Sequence, residues 1–436
     1  MTKPSRERPI ARWGATAVLA VFVATACEAE SAEPDTAERI EEITAQVAEL
    51  RGIDLDEPVE AELLDPDEFA DLVLDVGEER TGQASPAEQE AATDVLVTLR
   101  HIEAGEDLDA VMEEAVRGGV VSGIYVPEHQ TFYLPAEEGD LGPVEQVIAA
   151  HEIQHALQDR TVGLDELLEL AVSGEADAFL AANAVVEGDA VTVQERWSRQ
   201  HQEPSDRGKY LTGGGDPEAA AEAQAALDEL PGYLVEQLLF PYTVGADFVE
   251  ALIDAGGFAA VDHALADPPS TTAEVMRPER HLEGFEPVDT PVAGDPGNDW
   301  DDGLTYTFGA FDLQMLLVHA DFGLSARGVE SWNGGQLRSW ERDDDIAVGV
   351  SVAFEEGGAA GAVCSALPTW YAAVADGVEA ADGVEAADDD EADDEAATNA
   401  EVWESDEDVL AVACNEESVT FALAPEADTA TAIVDG

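Results

Sequence analysis

One stretch of the sequence decides the fold and the chemistry, Val147-Ile-Ala-Ala-His151-Glu152-Ile-Gln-His155-Ala-Leu-Gln-Asp159. Its apolar residues recur at helical spacing, and its two histidines, four positions apart, stand one above the other on a single helix face. The two imidazole rings are then about 6 Å apart and can bind one metal ion. Glu152 lies about 100° around the helix from His151, where its carboxylate can reach a water molecule on that ion. The pattern is typical of zinc hydrolases.

Two residues mark the expected ends of this helix. Pro143 suits a first helical turn because its missing N–H would have no partner there, and Gly163 stands where the helix should stop. A hairpin-like run, Ser122 to Leu134, precedes the helix. We expect a strand of this run to lie beside the motif helix, where it forms one wall of a cleft and offers its edge to an extended peptide.

A catalytic zinc ion needs a third protein ligand and an open position for water. A second helix downstream offers two glutamates for this role, Glu175 in S-G-E-A-D and Glu187 in V-V-E-G-D-A. They are twelve residues apart and point about 120° away from each other, so one helix cannot easily aim both at one ion. We expect Glu187 to be the ligand, since the small residues Ala184 and Gly188 would let its helix approach the motif helix closely. Glu175 is the alternative.

These motifs resemble those of a group of bacterial secreted proteins and lipoproteins that carry H-E-x-x-H-A-L-Q-D followed by E-G-x-A. That group is similar to gluzincin-type zinc metallopeptidases. The resemblance spans most of the mature chain, in residues 123–128, 151–159, 186–190, 240–245, 256–258, 267–271 and 274–279. It implies a zincin-like fold in which Glu187 is the third zinc ligand and Glu152 is the general base.

The sequence departs from this group at one point. A histidine typically precedes the Pro-Glu pair in the group, where this chain has Arg277, and His281 stands at a position that is usually tyrosine-like. Peptide hydrolysis needs a donor for the tetrahedral oxyanion, and the candidates from the sequence are Arg277, His281, Tyr125 and Tyr133. Asp159 is a further candidate, as an acceptor that orients one of the metal-binding histidines.

The charge of the chain excludes some functions. Lys and Arg number 19 against 97 Asp and Glu, which gives a formal net charge of −78 over 436 residues. Nucleic acid recognition requires a basic face that this composition cannot supply, and anionic membrane surfaces are equally unsuitable partners. So high a charge repels itself unless salt screens it, over about 3 Å at 1 M. We therefore expect a protein from a salt-loving organism.

The first 27 residues have the pattern of a secretory signal peptide, with a basic start, an apolar stretch over residues 13–23 and Ala-Thr-Ala before Cys27. Small residues directly before a cysteine resemble a lipobox, so we expect lipidation at Cys27 and a protein on the cell surface or outside the cell. The alternative is ordinary cleavage without lipidation. Cys364 and Cys414 are then expected to form a disulfide in an oxidising compartment.

The pattern predicts an α+β, helix-rich protein. After the signal peptide we expect five parts, namely an acidic tether over 28–45, a zincin-like metal-binding domain over 46–200, a helical continuation over 201–343, a small βαββ-like module over 344–436, and an acidic low-complexity insertion within that module over 376–398.

The expected function is zinc-dependent hydrolysis of peptide bonds outside the cytoplasm, with Zn²⁺ as cofactor and a peptide or protein as substrate. Nucleic acid is not an expected partner, and a membrane is expected only through a lipid anchor. Two alternatives remain at this stage. One is a non-catalytic surface lipoprotein that keeps a structural metal site, and the other is a metal-buffering surface protein that binds many ions weakly through its carboxylates.

Overall fold

A computed structural model describes residues 36–53, 58–81, 85–136, 141–164, 167, 170, 174–211, 217–320, 322–356, 358–380 and 400–435. The signal peptide, Cys27 and the centre of the acidic insertion lie outside these residues. Within them, no helix is both long and apolar enough to cross a bilayer.

The helix-rich α+β prediction is confirmed. The helices have the following bounds: α1 Thr36–Arg51, α2 Pro66–Thr81, α3 Pro86–Thr98, α4 Leu108–Arg117, α5 Pro143–Val162, α6 Ala176–His201, α7 Pro204–Leu211, α8 Pro217–Glu229, α9 Gly232–Gly256, α10 Phe258–Ala266, α11 Thr272–Met276, α12 Pro278–Glu283, α13 Ala310–Leu316, α14 Phe322–Glu330, α15 Ala359–Val374 and α16 Ala427–Val434.

The strands form two sheets. Their bounds are β1 Glu60–Leu64, β2 Ile124–Val126, β3 Thr131–Pro135, β4 Asp301–Thr307, β5 Trp332–Arg342, β6 Asp345–Phe354, β7 Glu379–Ala380, β8 Glu401–Glu404, β9 Val409–Cys414 and β10 Ser418–Ala424. The first sheet has the order β1-β3-β2, and the second has the order β4-β5-β6-β10-β9-β8-β7.

The small sheet packs against helices on both of its faces. Its side chains alternate between the two faces and so contribute to two different cores. Tyr125 and Phe132 face the core shared with α1 and α5. Tyr133 and Val126 face the opposite core, which includes Phe69 of α2. The sheet therefore presents one face to the helix that carries the histidine pair.

Helix α1 differs from the expected loose tether. Ile43 and Val47 are fully buried in the core that also holds the motif helix. The acidic residues of this helix point outward, and its apolar face packs into the core. Its acidic composition suggests a solvated segment, but the helical spacing of its apolar residues produces a helix with one buried face. What the structure describes of residues 28–45 therefore packs in one core with the helix that carries the histidine pair.

The C-terminal module is larger than expected. The strands over 345–354, 409–414 and 418–424 and the helix over 359–374 agree with the expected βαββ order, but β4 and β5 fall in the part expected to be helical. A boundary at residue 343 would cut the β5–β6 hairpin in two. The pairing of β5 shifts register between Trp332 and Gly334, which breaks the strict alternation that identifies a strand in a sequence.

The two halves of the molecule are joined at the start of α6. Asp177 is buried there and accepts a hydrogen bond from the Thr272 amide of α11 at 3.1 Å. The Thr272 hydroxyl also donates to Asp177 and accepts from the Phe311 amide of α13 at 3.0 Å. The helix that carries Glu187 is thus fixed to the C-terminal half at its first turn.

Helix α6 also crosses α9 at very short range. The small residues beside Glu187, Ala184 and Gly188, lie at this crossing, whereas the sequence led us to expect them at the contact with the motif helix. A Cβ atom on Gly188 would lie 2.3 Å from the Gly245 carbonyl oxygen, and one on Gly245 would lie 2.3 Å from the Ala184 carbonyl oxygen. The two backbones approach this closely only because both positions are glycine.

Replacing Gly188 by alanine should therefore destabilise the protein. Because the added methyl group meets backbone rather than a movable side chain, we expect a loss of about 1–3 kcal/mol in the free energy of unfolding. Denaturant unfolding in molar salt measures this loss. Gly208→Ala in α7 is the control, since a Cβ atom there meets nothing within 4 Å, and it should be neutral or stabilising. Equal stability of both variants would contradict the close crossing.

Candidate metal centre

The motif helix forms as the sequence predicts. Pro143 occupies its first turn, and Gly163 ends it with a positive φ of 75°. Both histidines are nearly buried, His151 and His155 each at 8 % exposure, and their rings lie edge to face with centroids 4.7 Å apart. The helical spacing thus places two imidazole groups side by side in a site that is largely closed to solvent.

Glu187 of α6 completes the group. Its Oε2 atom lies 3.1 Å from His151 Nε2 and 3.3 Å from His155 Nε2, while the two Nε2 atoms are 3.0 Å apart. These three ligand atoms belong to the one group of His, Cys, Asp and Glu side chains among the described residues that is close enough to hold a metal ion. The structure thus brings together the three residues that the sequence indicated.

The spacing of these atoms fits a divalent ion. A tetrahedral zinc site with bonds of about 2.0–2.1 Å separates its ligand atoms by about 3.3 Å. The observed separations are 3.0–3.3 Å. Two imidazole nitrogens and one carboxylate oxygen are also a donor set that zinc binds in catalytic sites. The geometry and the chemistry of the three residues therefore suit zinc, although they do not select it over other divalent ions.

The electrostatics of the group favour a cation at its centre. Burial opposes a charge on His155, but the Glu187 carboxylate outweighs this effect and raises the pKa of His155 to about 9. Burial likewise opposes ionisation of Glu187, but the two histidines hold its pKa well below the ordinary value. A buried carboxylate is costly unless positive charge compensates it. The raised pKa of His155 means that a proton on its ring can provide that charge, and a metal ion could take the place of the proton.

Glu152 lies beside this group and is 5 % exposed. Burial raises its pKa, against the opposing effect of His151 and His155. The chain passes over its carboxylate at Gly123, where a Cβ atom would come within 2.7 Å of Glu152 Oε1 and of Ile148 Cγ2. Glycine at this position therefore lets the start of β2 lie directly against the candidate general base.

Tyr242 of α9 is a site residue that the sequence analysis did not single out. Its ring stacks on His151 with centroids 6.1 Å apart and is 38 % exposed. Burial of its hydroxyl group, together with the nearby carboxylates of Glu187 and Glu152, raises the pKa of Tyr242 well above its usual value. The hydroxyl therefore remains a proton-bearing donor beside the metal ligands.

Glu175, the alternative third ligand, lies elsewhere. It is exposed at the N-cap of α6, three turns and about 18 Å of helix away from Glu187. It does not belong to the group of converging ligand atoms. Of the two glutamates on this helix, the structure places Glu187 at the histidines.

Both tyrosines expected as oxyanion donors have other contacts. The Tyr125 hydroxyl donates to Asp159 Oδ2 at 2.9 Å. Tyr133 lies on the far face of the small sheet, where its hydroxyl is 2.9 Å from His129 Nδ1. Asp159 also accepts from the Leu164 amide at 3.0 Å, so it closes the end of the motif helix. The hydrogen bonds of Asp159 among the described residues thus go to Tyr125 and to the end of the helix, and none joins it to His151 or His155.

The two remaining candidates hold the C-terminal half in place. Arg277 donates to the Glu330 carbonyl oxygen and pairs with Glu279 at 2.9 Å. The His281 Nδ1 atom lies 3.2 Å from Glu274 Oε1, and its ring packs edge-on against Phe248. Among the described residues neither side chain hydrogen bonds to His151, His155 or Glu187. Tyr242 is the tyrosine whose ring stacks on one of these residues, His151.

Comparison with protein-family models, with curated proteins and with solved structures finds no match to this chain.

Replacing Glu187 by alanine should abolish tight zinc binding, whereas Glu175→Ala should leave it unchanged. Loss of one of three ligands removes a direct bond to the ion, so we expect an effect larger than the roughly 10–100-fold that loss of a supporting partner causes. Competition with a chromophoric chelator in molar salt measures the dissociation constant. The reverse order of effects would show that Glu175 is the ligand.

Proposed function

We propose that this protein is an exported zinc-dependent metallopeptidase, as its resemblance to gluzincin-type enzymes implies. The single observation that carries the proposal is the convergence of His151, His155 and Glu187 next to the buried carboxylate of Glu152. When bound, zinc would activate a water molecule and polarise the carbonyl group of the scissile peptide bond. Side chains of the protein would supply the other two groups that the reaction needs, a general base and a donor to the oxyanion.

Glu152 is the proposed general base and acid. Its carboxylate takes a proton from the attacking water and passes it to the amine that leaves. Burial raises its pKa above that of an ordinary glutamate, so it binds this proton more readily than an exposed carboxylate would. Gly123 keeps the space above this carboxylate free of a side chain.

Tyr242 is the proposed donor to the substrate oxyanion. Its hydroxyl lies near the Glu187 and Glu152 carboxylates and retains its proton, its ring stacks on His151, and the residue is 38 % exposed. A fixed donor aimed at developing negative charge in a site with little water gives a large share of the rate enhancement in many hydrolases. This assignment replaces Tyr125, Tyr133, Arg277 and His281, whose polar groups bond elsewhere.

The small sheet supports an extended peptide as substrate. Strand β2 is the outer strand in the order β1-β3-β2, so it pairs with β3 on one side only. Its first residue follows Gly123, which lies against Glu152. A peptide that adds to this edge through backbone hydrogen bonds would pass beside the candidate base. Such binding depends mainly on the backbone of the peptide and less on its side chains.

An exported setting follows from the N-terminal pattern ending at Cys27 and agrees with the Cys364–Cys414 disulfide, which joins α15 to β9. Disulfides of this kind persist in oxidising compartments. We therefore propose that the protein acts at the cell surface or outside the cell, anchored through a lipid at Cys27, and in a salt-rich medium that screens its charge.

The central test is Glu152→Gln. Because this variant keeps the ligands but removes the proton acceptor, it should bind zinc like the wild type and cleave peptides at least 100-fold more slowly. The assay is digestion of a peptide library in molar salt, with and without a chelator, together with elemental analysis. Glu145→Gln is the matched control, since Glu145 is 7 % exposed and lies two turns earlier on the same helix.

The outcomes separate the assignments. Full activity of Glu152→Gln would remove Glu152 from the mechanism. A wild-type protein that binds one zinc ion tightly but shows no chelator-sensitive cleavage would contradict the peptidase proposal and would favour a structural metal site. Weak binding of many ions would favour a metal-buffering protein.

Tyr242→Phe tests the proposed donor. Loss of one oxyanion donor should reduce kcat by about 100–1000-fold, with little change in KM or in zinc affinity. Tyr233→Phe is the control, because Tyr233 lies on the same helix and donates to Asp312 at 3.1 Å, away from the site. Steady-state kinetics on a fluorogenic peptide provide both constants. An unchanged kcat in Tyr242→Phe would overturn the assignment.

A further inference from the structure

A chain of buried hydrogen bonds lies behind one of the two histidines. The His155 Nδ1 atom is 2.9 Å from the Gln158 side-chain oxygen. The Gln158 amide nitrogen in turn donates to the Val186 carbonyl oxygen at 2.9 Å and to Asp189 Oδ2 at 3.0 Å. Gln158 is 1 % exposed and Asp189 is fully buried. The motif helix α5 and helix α6, which carries Glu187, are therefore joined directly behind His155.

These contacts determine which way the Gln158 amide points. A backbone carbonyl oxygen can only accept, so the side-chain nitrogen must face Val186 and the side-chain oxygen must face His155. That oxygen can only accept as well, and His155 must carry its proton on Nδ1. Nε2 is then the atom that faces His151 and Glu187, so its lone pair is the one that a metal ion would bind when it displaces any proton held there.

The other end of this series of hydrogen bonds is a buried carboxyl group, Asp189, that lies beside a buried arginine. Asp189 accepts from Gln154 at 2.7 Å, and its Oδ1 lies 3.3 Å from the Arg51 Nε atom at the end of α1. Arg51 also pairs with Asp262 at 2.6 Å and stacks on Phe258 at 4.4 Å. Since a buried carboxylate needs compensating charge, Arg51 keeps an acceptor available at Asp189.

The support is confined to one histidine. The His151 Nδ1 atom is buried and finds no hydrogen-bond partner among the described residues. His155 has a partner that is itself fixed at two points. The carboxylate that the sequence suggested for this task, Asp159, bonds instead to Tyr125 and to the end of the helix.

We propose that Gln158 is a positioning residue for the metal centre, and that Asp189 and Arg51 hold it in place. These hydrogen bonds keep a proton on His155 Nδ1 and fix the orientation of its ring, and they thereby couple α1 to metal affinity. This inference rests on the proposed zinc site but not on peptide cleavage. Partners of this kind change metal affinity by about 10–100-fold in other metal sites.

The chain offers a matched pair of variants for the test. Gln154 and Gln158 both lie on α5, are 0 % and 1 % exposed, and donate to the same Asp189 oxygen, yet of the two only Gln158 hydrogen bonds to the His155 ring. We expect Gln158→Met and Gln154→Met to lower the stability of the metal-free protein similarly. Only Gln158→Met should weaken zinc binding, by 10–100-fold, as measured by chelator competition in molar salt.

A third variant separates positioning from packing. Gln158→Glu keeps an acceptor for the His155 Nδ1 proton but places a carboxylate against Asp189, so it should lose stability while retaining zinc affinity close to that of the wild type. Long-range ¹H–¹⁵N spectra of the zinc-loaded protein provide a second measurement. They should show the Nδ1–H tautomer of His155 in the wild type and in Gln154→Met, and altered His155 ring signals in Gln158→Met.

Each outcome has a defined meaning. Equal zinc affinity in Gln158→Met and Gln154→Met, with an unchanged His155 tautomer, would overturn the positioning role even though the wild type binds zinc tightly. A Gln158→Glu variant that loses affinity together with stability would also overturn it, since packing alone would then explain the effect. Failure of the wild type to bind zinc at all would instead refute the metal centre itself.

Discussion

The structure depends on burying the Glu187 carboxylate between two imidazole rings. A carboxylate in an apolar core is unfavourable unless positive charge stands beside it, and His151 and His155 can supply that charge through a proton or through a shared metal ion. To place Glu187 there, α6 must cross both α5 and α9. Glycine at 188 and 245 permits the second crossing, which also brings Tyr242 to the site.

Buried arginines show where a strongly acidic chain needs positive charge most. With 19 basic residues against 97 acidic ones, most carboxylates must rely on water and salt. Among the described residues two arginines are nevertheless almost fully buried, Arg51 beside Asp189 and Arg280 beside the carbonyl oxygens of Trp332 and Glu330. The first lies in the polar core behind His155. The second connects α12 to β5 of the large sheet.

Contacts elsewhere in the fold occupy several residues whose type alone suggested a role at the site. Tyr125 and Asp159 both lie near the motif, and each has a chemistry that the site requires. They bond to each other instead, and this contact closes the end of the motif helix. Arg277 and His281 hold the C-terminal half through Glu279 and Glu274. A polar group is available for catalysis only when its neighbours leave it free, and neighbours are a property of the fold.

The sequence alone determined what depends on local geometry. The period of 3.6 residues puts His151 and His155 on one face and Glu152 beside them, Gly163 ends their helix, and the spacing of Glu175 and Glu187 shows that only one of them can reach the site. Tertiary structure decided the rest. Tyr242 and the link from Gln158 to Asp189 join residues that lie from about 30 to nearly 90 positions apart, and contacts between such distant positions have no sequence period. They arise only when helices cross, at distances that side-chain volume at the crossing decides.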